Sequence, residues 1–296
     1  GANVGDVNGD GIPDVAFGAP YNLQSAGSVY VLFGNTNLSS EIDLDNLPQN
    51  QGFRVDGVKD SGAFFGTEVK KAGDLNGDGK GDFLIIGKPL APPLPKGYNG
   101  AISLIFGTVA PNNLKLSELD GITGFTLNIL QNSPSPYEIT ARAAGDINQD
   151  SIDDLVVSHQ GIGYALFGRR APFPPVFNLT SLNGVFGFII QNTRENAPIR
   201  SINAGDLNGD GVSDIWVNSN SSMQQALGKI TVIFPQRFIV PPSSNGSDPK
   251  TWMWILVGLS GAIVVSAIAC VAYRYFLVPR KKRLPNILNA TPFIRE

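Results

Sequence analysis

Nearly the same nine residues recur four times in this 296-residue chain: Asp6 to Asp14, Asp74 to Asp82, Asp146 to Asp154 and Asp206 to Asp214. Each copy places oxygen-bearing side chains at positions 1, 3, 5 and 9. Three carboxylates and an amide packed into so short a turn repel one another unless a hard cation of about 2+ sits among them. The copies begin 68, 72 and 60 residues apart. A period of that length marks a repeated supersecondary unit rather than a chance acidic run.

What surrounds each copy is also repeated. A short apolar strand follows: Val15 to Phe17, Phe83 to Ile86, Leu155 to Val157 and Ile215 to Val217. A second strand comes after a turn, over Ser28 to Phe33, Ala101 to Phe106, Gly163 to Phe167 and Lys229 to Phe234. Three of these end in Phe-Gly, and the fourth ends in Phe234-Pro235. A third strand is expected at Gly52-Phe53, Gly124-Phe125 and Gly187-Phe188. A further extended segment precedes the last three loops, over Thr67 to Lys71, Glu138 to Ala141 and Arg200 to Asn203. With 34 Gly and 21 Pro punctuating short β-branched and aromatic runs, the chain reads as all-β. Four-stranded units repeated without helices suit the blades of a β-propeller, about four of them, over residues 1–240. A β-sandwich or a linear β-array are the alternatives.

The expected metal ligands are Asp6, Asn8, Asp10 and Asp14; Asp74, Asn76, Asp78 and Asp82; Asp146, Asn148, Asp150 and Asp154; and Asp206, Asn208, Asp210 and Asp214. Ile12, Lys80, Ile152 and Val212, at position 7, would add backbone carbonyls. All-oxygen donors of this kind suit Ca²⁺, so up to four ions are expected. An EF-hand is excluded, because position 12 holds Phe17, Ile85, Val157 or Val217 in place of glutamate. Position 6 is glycine except at Ser151, and a residue with a Cβ in a left-handed turn costs about 1–2 kcal/mol. The Asp146–Asp154 site should therefore be the weakest. Ordinary Asn-Gly and Asp-Gly turns without metal are the plainer reading.

The order Phe65-Gly66, Gly73 to Asp82, then Phe83 to Pro89, with Gly18-Ala19-Pro20 in the first copy, resembles the FG-GAP repeat of integrin α-subunit propellers. That resemblance covers residues 1 to about 240. It implies a seven-bladed propeller, of which this chain would hold a fragment, with calcium in loops between the first two strands of some blades. It also implies that ligands and partner subunits are met on the opposite, upper surface. The third and fourth copies depart from the pattern, with Tyr137-Glu138 and Ala197-Pro198 in the Phe-Gly slot, and with Ser158-His159-Gln160 and Asn218-Ser219-Asn220 for Gly-Ala-Pro. No Gly-Phe-Phe-Lys-Arg sequence follows the apolar segment, so the chain looks integrin-α-like rather than an integrin subunit proper.

That apolar segment, Thr251 to Tyr273, is uncharged over 23 residues. As a helix it would extend roughly 35 Å, enough to cross a hydrocarbon core of about 30 Å. A transmembrane helix is expected over 251–278, after a polar stalk at 241–250 and before a cytoplasmic tail at 279–296. Trp252, Trp254, Tyr273 and Tyr275 would mark the interfaces, and Arg280 to Arg283 would stay inside. A buried core helix is the alternative. Gly258, Ala262, Ser266 and Cys270 recur every four residues and offer a face for helix–helix self-association. The topology would be single-pass type I, with the propeller extracellular and Asn37, Asn178, Asn220 and Asn245 in glycosylation sequences. Gly1 stands five residues before the first loop, so a fragment or processed form is expected.

Residues 251–296 carry six Lys/Arg and one Glu, a charge of +5, which leaves −8 on residues 1–250 from the overall −3. Bound divalent cations would offset that negative field, and nothing in the pattern matches a nucleic-acid footprint. The sole histidine, His159, is expected on a surface turn, with no nucleophile motif beside it. Lys80-Gly81-Asp82 looks like an adhesive tripeptide, but its aspartate belongs to a loop. The expected function is a calcium-stabilised cell-surface recognition or adhesion protein, not an enzyme, with an extracellular protein or glycan ligand. Its rivals are an accessory propeller of a membrane-anchored enzyme acting on polysaccharide or phospholipid, whose catalytic domain lies outside this chain, and a purely structural surface protein.

Overall fold

A computed structural model describes residues 1–35, 41–59, 63–87, 102–108, 112–128, 139–159, 161–192, 199–219, 229–234, 253–256 and 263–267. It is all-β, built from several antiparallel sheets, an arrangement consistent with a propeller of FG-GAP blades. Unit one is β1 (Ala2–Gly5), β2 (Asp14–Ala19), β3 (Ser28–Leu32) and β4 (Gly52–Asp56), hydrogen-bonded in that order. Unit two is β5 (Glu68–Gly73), β6 (Asp82–Ile86) and β7 (Ile102–Ile105), then the short β8 (Leu114–Lys115), then β9 (Gly124–Asn128). Unit three repeats this with β10 (Thr140–Gly145), β11 (Asp154–His159), β12 (Ile162–Leu166), the short β13 (Val176–Asn178) and β14 (Gly187–Asn192). Unit four comprises β15 (Ile199–Gly205), β16 (Asp214–Ser219) and β17 (Lys229–Ile233).

The sequence of β6 shows how the units stack. Phe83 and Ile85 point into a core shared with Val4, Ala16, Val29 and Phe53 of unit one. Leu84 and Ile86, on the other face, pack with Ala141, Leu155 and Val157 of unit three. Val156 of β11 turns away again to meet Ile202, Ile215 and Val217 of unit four. Side chains alternate sides along a strand, so a strand sandwiched between two neighbours must be apolar at every position. Each such side chain contributes about 1.5–3 kcal/mol on burial. The continuous apolar runs seen in the sequence are therefore the signature of face-to-face stacking.

The outer edges are closed between neighbours. β8 lies parallel to β4, Val55 opposite Leu114, and β13 lies parallel to β9, Val176 opposite Thr126. The Pro-rich stretch 171–175 sets Phe173 into the core, stacked on Phe125 at 4.4 Å between centroids.

At β14 the edge is covered differently, and here the expected membrane helix is not found. Met253–Leu256 (β18) and Ile263–Ala267 (β19) are strands, paired with each other, and β19 runs antiparallel to β14. Among the described residues no helix is long and apolar enough to cross a membrane. Trp, Ile and Val are favoured in strands, and the open edge of β14 offers unpaired N–H and C=O groups that template such pairing. Ser266 of the expected helix–helix face lies in β19; Gly258, Ala262 and Cys270 fall outside the described residues, as do the stalk, the tail, Tyr137-Glu138, Ala197-Pro198, Asn37, Asn220 and Asn245.

Candidate metal loops

Each nine-residue loop joins the first two strands of its unit, and its own carboxylates organise it. In the first, Asp6 Oδ1 accepts the N–H groups of Gly9 (2.7 Å) and Asp10 (3.0 Å), and Oδ2 accepts that of Gly11 (2.7 Å). Asn8 Oδ1 takes the Asp10 N–H at 2.9 Å, and Asp10 Oδ1 takes the Ile12 N–H at 2.8 Å. The same pattern holds Asp74, Asn76 and Asp78 with the Lys80 N–H, and Asp146, Asn148 and Asp150 with the Ile152 N–H. Asp206, Asn208 and Asp210 with the Val212 N–H repeat it once more. Positions 1, 3 and 5 are thus gathered on one turn.

Position 9 is set apart, buried beneath the turn. Asp14 accepts the Val7 N–H through Oδ2 and the Gly34 N–H through Oδ1, both at 2.7 Å. Asp82 does the same with Leu75 (2.7 Å) and Gly107 (2.9 Å), and Asp154 with Ile147 and Gly168, both at 2.8 Å. One carboxylate therefore ties the start of the loop to the end of the third strand. The glycine of each Phe-Gly pair has a reason: a Cβ on Gly107 would lie 2.6 Å from Lys80 Cβ and 2.8 Å from the carbonyls of Gly81 and Val7. In the fourth unit the equivalent residue is Pro235, which has no N–H. Asp214 still takes the Leu207 N–H at 2.9 Å, but its buried Oδ1 has no partner among the described residues.

The loops are also linked to one another, through residues that sequence reasoning passed over. The Gly81 N–H donates to the Asp6 carbonyl (2.6 Å) and the Asp153 N–H to the Asp74 carbonyl (3.1 Å). Asp153 Oδ2 in turn accepts the Asp74 N–H at 2.8 Å, and Arg170 donates to the Gly77 carbonyl at 2.7 Å. The doubled Asp153-Asp154 was the available signal. Because Asp82 is fully buried, Lys80-Gly81-Asp82 is not displayed as a tripeptide.

Among the described residues, no three His, Cys, Asp or Glu side chains are grouped as a ready-made metal cluster. The residues nevertheless fit a hard cation. The donors are all oxygen, Asp214 Oδ1 is an orphaned buried acceptor, and burial pushes the Asp82 and Asp154 carboxyls up to about 8. A nearby cation would offset that cost of burying charge. The third loop is strained as its sequence implied: Gln149 and Ser151 hold φ of 63° and 68°, where the other loops have glycine. Replacing both by glycine should raise stability by about 1–2 kcal/mol in all, read as a higher urea midpoint at unchanged m-value.

His159 is not on a surface turn. β11 continues through it, opposite Ile162, and leaves it 6% exposed with neither ring nitrogen partnered among the described residues. Burial pulls its pKa down to about 4.

The FG-GAP repeat family matches residues 2–32 and 72–105, which span the first two loops and their flanking strands. Integrin alpha-8 of Gallus gallus is 30% identical over 192 residues, 61% of this chain and 16% of that protein. Integrin alpha-4 of Xenopus laevis is 25% identical over 273 residues, 90% of this chain and 24% of that protein. The chain is an integrin-α-like FG-GAP repeat protein. Phosphatidylinositol-glycan-specific phospholipase D of Bos taurus is 33% identical to the integrin-α-like chain over 156 residues, 51% of the chain and 17% of that protein. The integrin-α-like chain thus spans between 16% and 24% of the lengths of these relatives.

Proposed function

We propose that this chain is the propeller portion of a calcium-stabilised, non-catalytic recognition protein of the cell surface. The observation that carries the reading is the recurrence of four aspartate loops, the first three bonded from unit to unit, beside the likeness to integrin α-subunits. Calcium, when bound, supplies positive charge to the carboxylates at positions 1, 5 and 9 and keeps the loop closed. Its role is structural, and ligands are met on faces the loops do not occupy. Unit four presents Leu207 (54% exposed), Ile230 (68%) and Phe234 (50%), whereas the matching Val7, Val29 and Phe33 of unit one are covered by unit two. An apolar face of that kind supports further blades, as in a seven-bladed ring.

The uncharged run 251–273 serves in this reading as a single-pass anchor, with the propeller outside and the Arg280–Arg283 cluster inside. In hydrocarbon a two-stranded hairpin leaves its edge N–H and C=O groups unsatisfied, so a bilayer selects the helix over the β18–β19 pairing.

One experiment tests these parts together. The full chain displayed on cells should resist alkaline extraction and bind matrix proteins or glycans in calcium. Chelation should abolish that binding and lower the melting temperature of the purified protein. Binding and melting indifferent to chelator would overturn the calcium reading, and release by alkali would overturn the anchor. The likeness to a phospholipase D supports a second reading, an accessory propeller of an enzyme, which predicts binding to that enzyme's substrate in place of matrix.

A further inference from the structure

The first strands of units two, three and four, β5, β10 and β15, border a cavity of about 340 Å³. Counting back from the bulge glycines Gly73 and Gly145, Lys70 and Arg142 hold the same position on adjacent strands. Both line this cavity together with Lys71, and Asn203 and the Trp216 ring complete its wall. Ala143 and Ala204 leave it open.

Two cationic residues, Lys70 and Arg142, border this small volume, while the Lys71 side chain, on the opposite face of β5, runs along Gly5. Like charges brought together cost free energy unless something negative enters. Glu68 answers only one of them, pairing with Lys70 at 2.7 Å. Among the described residues neither Lys71 nor Arg142 has a carboxylate partner. Residues 1–250 are acidic overall, at −8, so a positive concavity here runs against the charge of the molecule. We propose that this cavity binds the anionic group of an acidic saccharide, a sulfate or a carboxylate. The volume exceeds what a bare inorganic ion fills. Beyond the cations, the wall supplies an amide for hydroxyl groups and an indole ring for the apolar face of a sugar.

The inference deepens the recognition reading above, but its chemistry is tested separately, on isolated saccharides instead of cells. A failure of adhesion would leave the site standing, and a failure here would leave adhesion to be explained by another face. The full chain, in calcium, is titrated by calorimetry with a sulfated disaccharide, a uronic acid trimer, a neutral glucose trimer, inorganic sulfate and an aspartate tetrapeptide. An acidic saccharide should bind, weaken on raising salt from about 0.05 to about 0.3 M, and lose at least about tenfold in affinity in a Lys70→Gln, Arg142→Gln variant. The variant's melting temperature should stay as in the wild type, since both residues line the cavity and neither is buried; Lys70→Glu gives an independent check with the same expected loss. Equal binding of the neutral trimer would overturn the proposal. So would wild-type affinity in the variants, or binding of sulfate or the tetrapeptide with no saccharide bound.

Discussion

Replacing Asp82 by leucine should destabilise the protein by about 2–6 kcal/mol at pH 6, one of the largest losses a single change outside the core clusters can cause. Its carboxyl accepts the Leu75 N–H at 2.7 Å and the Gly107 N–H at 2.9 Å, and the site is fully buried. Leucine fills similar space and accepts nothing, which orphans two buried donors at about 1–3 kcal/mol each. With no metal bound, burial pushes the Asp82 carboxyl up to about 8, so at pH 6 in chelator the removed group is a neutral acid and no relief from buried charge offsets the loss. In a chain of this size the melting temperature should fall by on the order of 10 °C. Asp82→Asn keeps one acceptor and should lose about half as much. Urea unfolding at pH 6 in chelator measures both, and a loss under about 1 kcal/mol for leucine would show that the clip is not a stability determinant.

The second large effect is a pH dependence carried by His159. Burial holds its folded pKa at about 4, below the ordinary 6.5, so between those values the unfolded chain binds the proton and the folded one does not. Its contribution is fully present above pH 6.5 and is lost as pH falls toward 4, by about 2.5 kcal/mol between pH 7 and pH 4.5. Asp82 and Asp154 act with the opposite sign: raised to about 8, each contributes stability below the unfolded carboxyl value that is lost as pH rises through 8. Both are present in a His159→Leu variant, so they cancel in the comparison. Urea midpoints of the two proteins should diverge by that amount on acidification. Parallel curves from pH 7 to pH 4.5 would mean that the imidazole finds a partner or solvent in the folded state.

Much of the unit was legible because its strands are short and apolar on both faces, and because each loop repeats the same nine-residue pattern of oxygen-bearing side chains. The strands expected around the loops begin within a residue or two of those observed, as at Gly52 to Asp56 for the segment beginning Gly52-Phe53, although the one expected at Glu138 to Ala141 runs on to Gly145. The glycine of Phe-Gly was legible as a pattern but not as a cause. Its N–H reaches Asp14 from 20 residues away and Asp82 from 25 residues away, contacts that only folding creates. His159 was misplaced because Ser158-His159-Gln160 stands where the first copy has Gly-Ala-Pro, a turn sequence, whereas β11 pairs through His159 with Ile162. Within the apolar run at 251–273, the pairing of Met253–Leu256 and Ile263–Ala267 depends on the neighbouring β14 edge, which no count of hydrophobic residues along the chain can register.

By itself, then, the sequence determined the repeat, its all-β character and the oxygen-rich chemistry of the loops, since these follow from spacing and residue type along one short segment. The tertiary structure alone decided that position 9 is a buried clip, that the first three loops are bonded in series, and that Lys70 and Arg142 border one cavity. Those facts depend on which strand lies beside which, and pairing between strands is set by the whole stack of faces rather than by any nine residues within it.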